Sequence, residues 1–182
     1  MKKSFIFTLI IFLGVNILSK SQIVTLFTMP DSLIIMAFFD EMDGKTYYIP
    51  SSNLICYNDE IHKGFNIHPL INPEDKKVSG LSVKMKNIGK CVENNELIIL
   101  FEDDSKIILK SWNEFNCEGK AYFSISKVEL RKLSSKKIRK IRVTNGCSGD
   151  SYTSDVEQKD QSYFIKYFRM LKNEQIFEYK EI

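Results

Sequence analysis

Proline and glycine are scarce, four and eight among 182 residues, which excludes a collagen-like chain and a Pro/Gly-rich low-complexity one. No period of about 20–50 residues recurs, so a repeat array is excluded as well. The four cysteines contain no Cys-x-x-Cys pair, which removes the usual structural zinc and thioredoxin-like redox patterns. There is no phosphate-binding P-loop and no dinucleotide fingerprint. No glycoside-hydrolase carboxylate pair can be picked out by spacing. What is present is ordinary: 43% hydrophobic and 27% charged residues, the composition of a globular domain able to bury its own core without metals or staples.

One long uncharged apolar run does occur, from Phe5 to Leu18. It follows Lys2 and Lys3 and precedes Ser19-Lys20-Ser21, small residues at the positions a signal peptidase reads ahead of Gln22. The run contains Gly14 and Asn16 and is shorter than the roughly 20 residues that span a bilayer. Residues 1–21 therefore read as a cleaved secretory signal, and 22–182 as a single globular domain. The first cysteine is Cys56, too far along to become an acylated N-terminus. The expected location is the periplasm or the extracellular space, with no transmembrane segment after cleavage. Lys2, Lys3 and Lys20 would leave with the signal, bringing the 26 basic residues down to parity with the 23 acidic ones. Net charge then gives no reason to expect nucleic acid, and the expected partner is a protein or another envelope component.

Hydrophobic periodicity outlines the mature part. Ile23–Phe27 and Leu33–Phe39 read as strands, and Asp43-Gly44 before Lys45–Ile49 signals a hairpin. Asn58–Ser79, with His68-Pro69 and Asn72-Pro73, reads as a long loop or insertion. Leu81–Ile88, Glu96–Phe101, Lys106–Trp112 and Ala121–Ile125 read as an antiparallel meander turning at Asp103-Asp104-Ser105. Ser126 and Glu129 have capping-box spacing and open a short helix through Leu133. Ile138–Val143 reads as a strand broken by Asn145-Gly146 and Ser148-Gly149. Gln161–Lys172 places Phe164, Phe168 and Leu171 on one helical face, and Ile176–Tyr179 adds an edge strand. The sum is an α+β fold, chiefly an antiparallel sheet with one or two helices packed on one face. Four cysteines allow three pairings. A meander brings Cys91 and Cys117 to the same end, so that pair is expected, closing a loop worth roughly 3–4 kcal/mol in the chain-entropy model. Export permits oxidation without compelling it, so unpaired thiols stay open as the alternative.

Four constellations bear on chemistry. Gly149-Asp150-Ser151 resembles part of the Gly-Asp-Ser motif of the chymotrypsin-like serine proteases, in which the serine is the nucleophile. Tyr152 and Thr153 stand where that family needs glycines, and neither histidine has its Ala-His-Cys context. A nucleophile without a general base and oxyanion donors has no mechanism, so a plain Gly/Ser/Asp loop is the better reading. His62 and His68, with Asp59 and Glu60 nearby, share one segment but lack the helical i, i+4 spacing that aims two imidazoles at one ion. Glu102-Asp103-Asp104 lacks the alternating ligands of a calcium loop and reads as a charged hairpin turn. Finally, Lys127, Arg131, Lys132, Lys136, Lys137, Arg139, Lys140 and Arg142 face a single Glu129 in their own stretch. This bias suits a polyanion, unless Glu102–Asp104 and Asp155–Asp160 neutralise it. No catalytic, cofactor-binding or metal site is assigned, and no cofactor is expected.

The signal ending in Ser-Gln, the meander around Leu97–Trp112 and the Val128-Glu129-Leu130…Leu133…Ile138-Arg139-Lys140-Ile141-Arg142-Val143 segment with its following helix resemble small exported proteins of unassigned function from the Bacteroidota. The resemblance implies a location and supplies no site residues. Three functions stand on this basis. The first is a non-catalytic binding or structural module of the cell envelope. The second is a small envelope hydrolase joining His62 or His68 to Asp59, Glu60 or Ser151. The third is a polyanion-binding module using the 127–142 segment.

Overall fold

A computed structural model describes residues 34–40, 42, 44–88, 94–112, 119–173 and 176–178, all within one unit, Ser32–Ile182. Eleven strands and two helices occur among them: β1 (Ile35–Asp40), β2 (Lys45–Pro50), β3 (Leu54–Asn58), β4 (Lys63–Ile71), β5 (Val78–Lys86), β6 (Glu96–Phe101), β7 (Lys106–Lys110), β8 (Lys120–Ser124), α1 (Lys127–Ser135), β9 (Ile138–Thr144), β10 (Ser151–Asp155), α2 (Tyr163–Lys172) and β11 (Ile176–Glu178). The fold is α+β and mostly antiparallel. Two four-stranded sheets, in the orders β3-β4-β5-β8 and β10-β9-β6-β7, carry the core, and a three-stranded sheet β11-β1-β2 stands beside them. Among the described residues, only β11 on β1 is a parallel pair.

Alternation explains the layering. Leu97, Ile99 and Phe101 of β6, Ile107 and Leu109 of β7, and Ile141 and Val143 of β9 point to one side and are buried. Phe65, Ile67, Leu81, Val83, Met85, Ala121 and Phe123 do the same from the other sheet and join the same core. The sheets meet along two seams. At the first, Ser111 bridges Phe123 and the Trp112 N–H donates to the Tyr122 carbonyl at 3.0 Å. At the second, β10 lies against β3 and β4, with the Phe65 and Tyr152 rings edge-to-face at 5.9 Å.

Local sequence sets several elements as expected. Gly44, at φ +67°, closes the β1–β2 hairpin in a conformation that an L side chain disfavours. Ser126 and Glu129 form the reciprocal capping box at the start of α1, at 2.7 and 3.3 Å. In α2 the apolar face is wider than the Phe164, Phe168, Leu171 stripe, because Tyr163 and Tyr167 are buried too.

Three expectations need correction. Segment 58–79 is no loop or insertion. It holds β4, flanked on both sides, and the opening of β5. Pro69 is tolerated there because β3 reaches only as far as Ile67 on β4, so the missing N–H falls beyond the β3 ladder. The strands of the expected meander exist but are not neighbours in order. β6 pairs with β7 and β9, whereas β5 pairs with β4 and β8. Ser151, expected in a loop, begins β10 and pairs with Thr144 of β9. The expected strand Ile23–Phe27 and the signal segment 1–21 lie outside the described residues.

Candidate functional site

The residues considered for catalysis are dispersed. His62 sits on the β3–β4 turn, exposed and at φ +51°, where its carbonyl accepts from Asn87 Nδ2 at 2.6 Å. Asp59 and Glu60 are exposed on the same turn. His68 lies six residues further along extended β4, which places it about 20 Å away at the usual rise per residue. Burial, and secondarily the charge of Lys120, lower the His68 imidazole below its ordinary value. Ser151 is exposed at the start of β10, in the other four-stranded sheet. Gly149 takes a left-handed φ of +73° and its N–H donates to the Asn145 carbonyl at 2.9 Å. Asp150 donates its N–H to Ser148 Oγ at 3.2 Å. Gly149-Asp150-Ser151 is thus a turn leading into a strand. Among the described residues, no group of three or more His, Cys, Asp or Glu could hold a metal ion.

Two buried asparagines organise that turn, and periodicity gave no hint of them. Asn145 is fully buried, and its Oδ1 accepts from the backbone of Cys147 and Ser148, both at 3.0 Å. Asn95, equally buried, accepts from the Gly146 N–H at 3.2 Å, while Ser111 Oγ accepts from the Asn95 N–H at 3.0 Å. The network ties the β9–β10 turn to the ends of β6 and β7. Its hydrogen bonds hold protein to protein, as buried polar groups require.

Cys56 is a free, buried thiol. Its pKa is pushed up to about 11, above all by burial, with the Asp160 charge in the same direction and a Ser154 hydrogen bond opposing. Such a thiol is a poor nucleophile. Cys91 and Cys117, and so the expected bridge between them, lie outside the described residues.

Four of the eight cations of the basic stretch 127–142 meet carboxylates from elsewhere in the fold. Lys136 reaches Asp103 at 2.5 Å, Arg139 reaches Asp104 at 2.7 Å, Lys140 reaches Asp155 at 3.0 Å and Arg142 approaches Glu96 at 3.9 Å. Lys132 donates to the Lys106 carbonyl at 3.1 Å. The hydrogen bonds from Lys136 and Ser105 hold Asp103 down at about 2. The Glu102-Asp103-Asp104 turn therefore serves as counter-charge to the segment that looked most like a polyanion site.

The outward face of the β3-β4-β5-β8 sheet has the opposite character. None of its four strands contains an Asp or Glu, whereas Lys63, Lys84, Lys86 and Lys120 lie in them. Cross-strand register lines up His68, Ser82 and Tyr122 in one row. Trp112 extends the row from the end of β7, its ring stacked on Tyr122 at 5.5 Å and 28°. Trp112 is held by its backbone bond to β8, yet remains 61% exposed. An isolated exposed apolar residue is commonplace. No family model, curated protein or solved structure matches the chain.

Proposed function

We propose that this protein is an exported, non-catalytic module of the cell envelope whose work is binding or structural. The observation that carries the reading is the placement of the candidate groups. His62 sits on the β3–β4 turn, His68 lies well along β4, and Ser151 stands in the other sheet, whereas a general base and a nucleophile must approach within about 3 Å. The apolar residues of both four-stranded sheets meet in one core. The Lys2-Lys3, Phe5–Leu18, Ser19-Lys20-Ser21 pattern supports export.

Two measurements test this. Intact-mass analysis of natively produced protein is expected to show the loss of residues 1–21, and recovery of the initiator methionine would refute export. A broad hydrolase screen is expected to show no turnover. Activity abolished by His68→Gln or Ser151→Ala would refute the non-catalytic reading and favour the hydrolase.

A further inference from the structure

We propose that Asn145-Gly146 is a latent self-modification site, at which the chain converts Asn145 through a succinimide to aspartate or isoaspartate, and that the Asn95 carboxamide is the catch that holds the site shut.

The sequence supplies the reacting groups. Of the chain's asparagines, only Asn145 is followed by glycine. A backbone nitrogen can close a five-membered ring on the side-chain carboxamide of the residue before it, and glycine, with no Cβ and wide backbone freedom, is the least hindered nucleophile. The Gly146 nitrogen bonds to Asn145 Cγ, the Cγ–Nδ2 bond breaks, and the proton lost from Gly146 leaves with Nδ2 as ammonia. Water then opens the ring at one carbonyl or the other, giving aspartate or isoaspartate. Nothing is oxidised or reduced, and water is the only co-reactant.

The fold prepares the electrophile. Asn145 is fully buried, so hydroxide does not reach Cγ and the adjacent nitrogen is the nucleophile at hand. Asn145 Oδ1 accepts from the Cys147 N–H, the Ser148 N–H and Ser148 Oγ at 3.0, 3.0 and 3.2 Å. These donors are placed to stabilise the negative charge that the oxygen gains when nitrogen adds to Cγ.

The nucleophile is withheld. The Gly146 N–H donates to Asn95 Oδ1 at 3.2 Å. A succinimide nitrogen carries no hydrogen, so ring closure must break this bond and deprive a 0% exposed residue of that donor. A carboxamide oxygen is too weak a base to remove the proton itself. Asn95 is fixed in turn by Ser111, whose Oγ accepts from the Asn95 N–H at 3.0 Å and from its Nδ2 at 3.4 Å, and whose N–H donates to the Asn95 carbonyl at 2.9 Å. The catch thus stands on the ends of β6 and β7, while the bond it guards lies between β9 and β10. Either product puts a carboxylate where the fold buries an amide. Isoaspartate also lengthens the main chain just ahead of β10, whose pairing with β9 starts at Thr144 and Ser151.

The test is incubation of the purified protein in mildly alkaline buffer, followed by reduction and tryptic mapping of the peptide Val143–Lys159, whose only asparagine is Asn145. Mass reads the change of amide to acid, and enzymatic methylation reads isoaspartate. The folded parent is expected to convert more slowly than the urea-unfolded chain, and Gly146→Ala is expected to slow the unfolded chain. Asn95→Ala is expected to speed conversion in the folded protein about fivefold or more, the factor that one hydrogen bond of ordinary net strength amounts to. Ser111→Ala loosens Asn95 without removing its carboxamide; it is expected to have a smaller effect in the same direction and stands in if Asn95→Ala does not fold. Ser126→Ala, which weakens the fold at α1, is expected to leave the rate at Asn145 unchanged, with circular dichroism confirming that each variant is folded. Conversion of the folded parent at the unfolded rate overturns the inference, as does an unfolded Gly146→Ala chain that reacts as fast as the parent. So does a folded Asn95→Ala, or Ser111→Ala in its place, that converts no faster than the parent. Acceleration by Ser126→Ala equal to that by Asn95→Ala also overturns it, because general unfolding would then be the catch. None of these outcomes bears on the non-catalytic reading, which turnover of an added substrate decides.

Discussion

Tyr163 and Tyr167 lie one turn apart on α2 with stacked rings 6.0 Å between centroids, yet their hydroxyls have opposite fates. The Tyr163 hydroxyl donates to the Ser52 carbonyl at 2.8 Å. The Tyr167 hydroxyl is buried with no hydrogen-bond partner, in a residue that is 0% exposed. Burial, with the neighbouring Tyr163 adding to it, pushes the Tyr167 phenol far above its ordinary value. A buried polar group without a partner costs about 1–3 kcal/mol of desolvation, while a made hydrogen bond contributes about 0.5–1.5 kcal/mol net. Tyr167→Phe keeps the ring and removes only the orphaned oxygen, so it is expected to stabilise the protein by about 1–3 kcal/mol. Tyr163→Phe deletes a satisfied hydroxyl and strips the Ser52 carbonyl of its donor, so it is expected to destabilise by about 0.5–1.5 kcal/mol. Urea denaturation of the three proteins at neutral pH reads both signs as shifts in midpoint at constant m-value. A Tyr167→Phe variant that is neutral or less stable than the parent would refute the reasoning, because the hydroxyl would then have a partner worth keeping.

Other outcomes follow from particular contacts. Ser126→Ala removes the side-chain acceptor of the Glu129 N–H and leaves the Ser126 N–H donating to Glu129; it is expected to cost about 1 kcal/mol, measurable in the same urea experiment. The folded-state pKa of His68 is depressed, so the unfolded chain takes up its proton first. Stability is expected to be flat above about pH 6.5 and to fall below it toward the folded value, with His68→Gln removing that part of the pH profile. Asp103 acts lower, its contribution present above about pH 4 and lost as pH falls through about 2. Cys56, buried and held at about 11, is expected to resist iodoacetamide until the protein unfolds. Non-reducing peptide mapping tests the expected Cys91–Cys117 bridge, whose cysteines lie outside the described residues; either thiol found free in exported protein would refute it.

Local patterns were legible where local physics decides. The Ser126 and Glu129 spacing, the Gly44 turn, the period-two strands β6 and β7 and the apolar stripe of α2 each depend on a few neighbouring residues, and each stands in the structure close to where the pattern put it. The α+β class followed from them. The candidate sites were legible only as lists of residue types. A run of eight cations looks alike whether its counter-charges are near or far in space, and the carboxylates that answer it come from another hairpin and another strand.

What the sequence by itself determined is the α+β class and the elements with a clear local signature, β1, β2, β6, β7, β9, α1 and α2 among them, because those are written in spacing. Only the tertiary structure decided which strands are neighbours, since β5 finds β8 across the intervening β6–β7 hairpin and Pro69 sits within β4 beyond the reach of β3. It alone decided that four cations of the conspicuous basic segment meet Asp103, Asp104, Asp155 and Glu96. The physical reason is that pairing, burial and charge balance are properties of side chains brought together from distant positions. One-dimensional order records which groups exist, and only folding decides which of them meet.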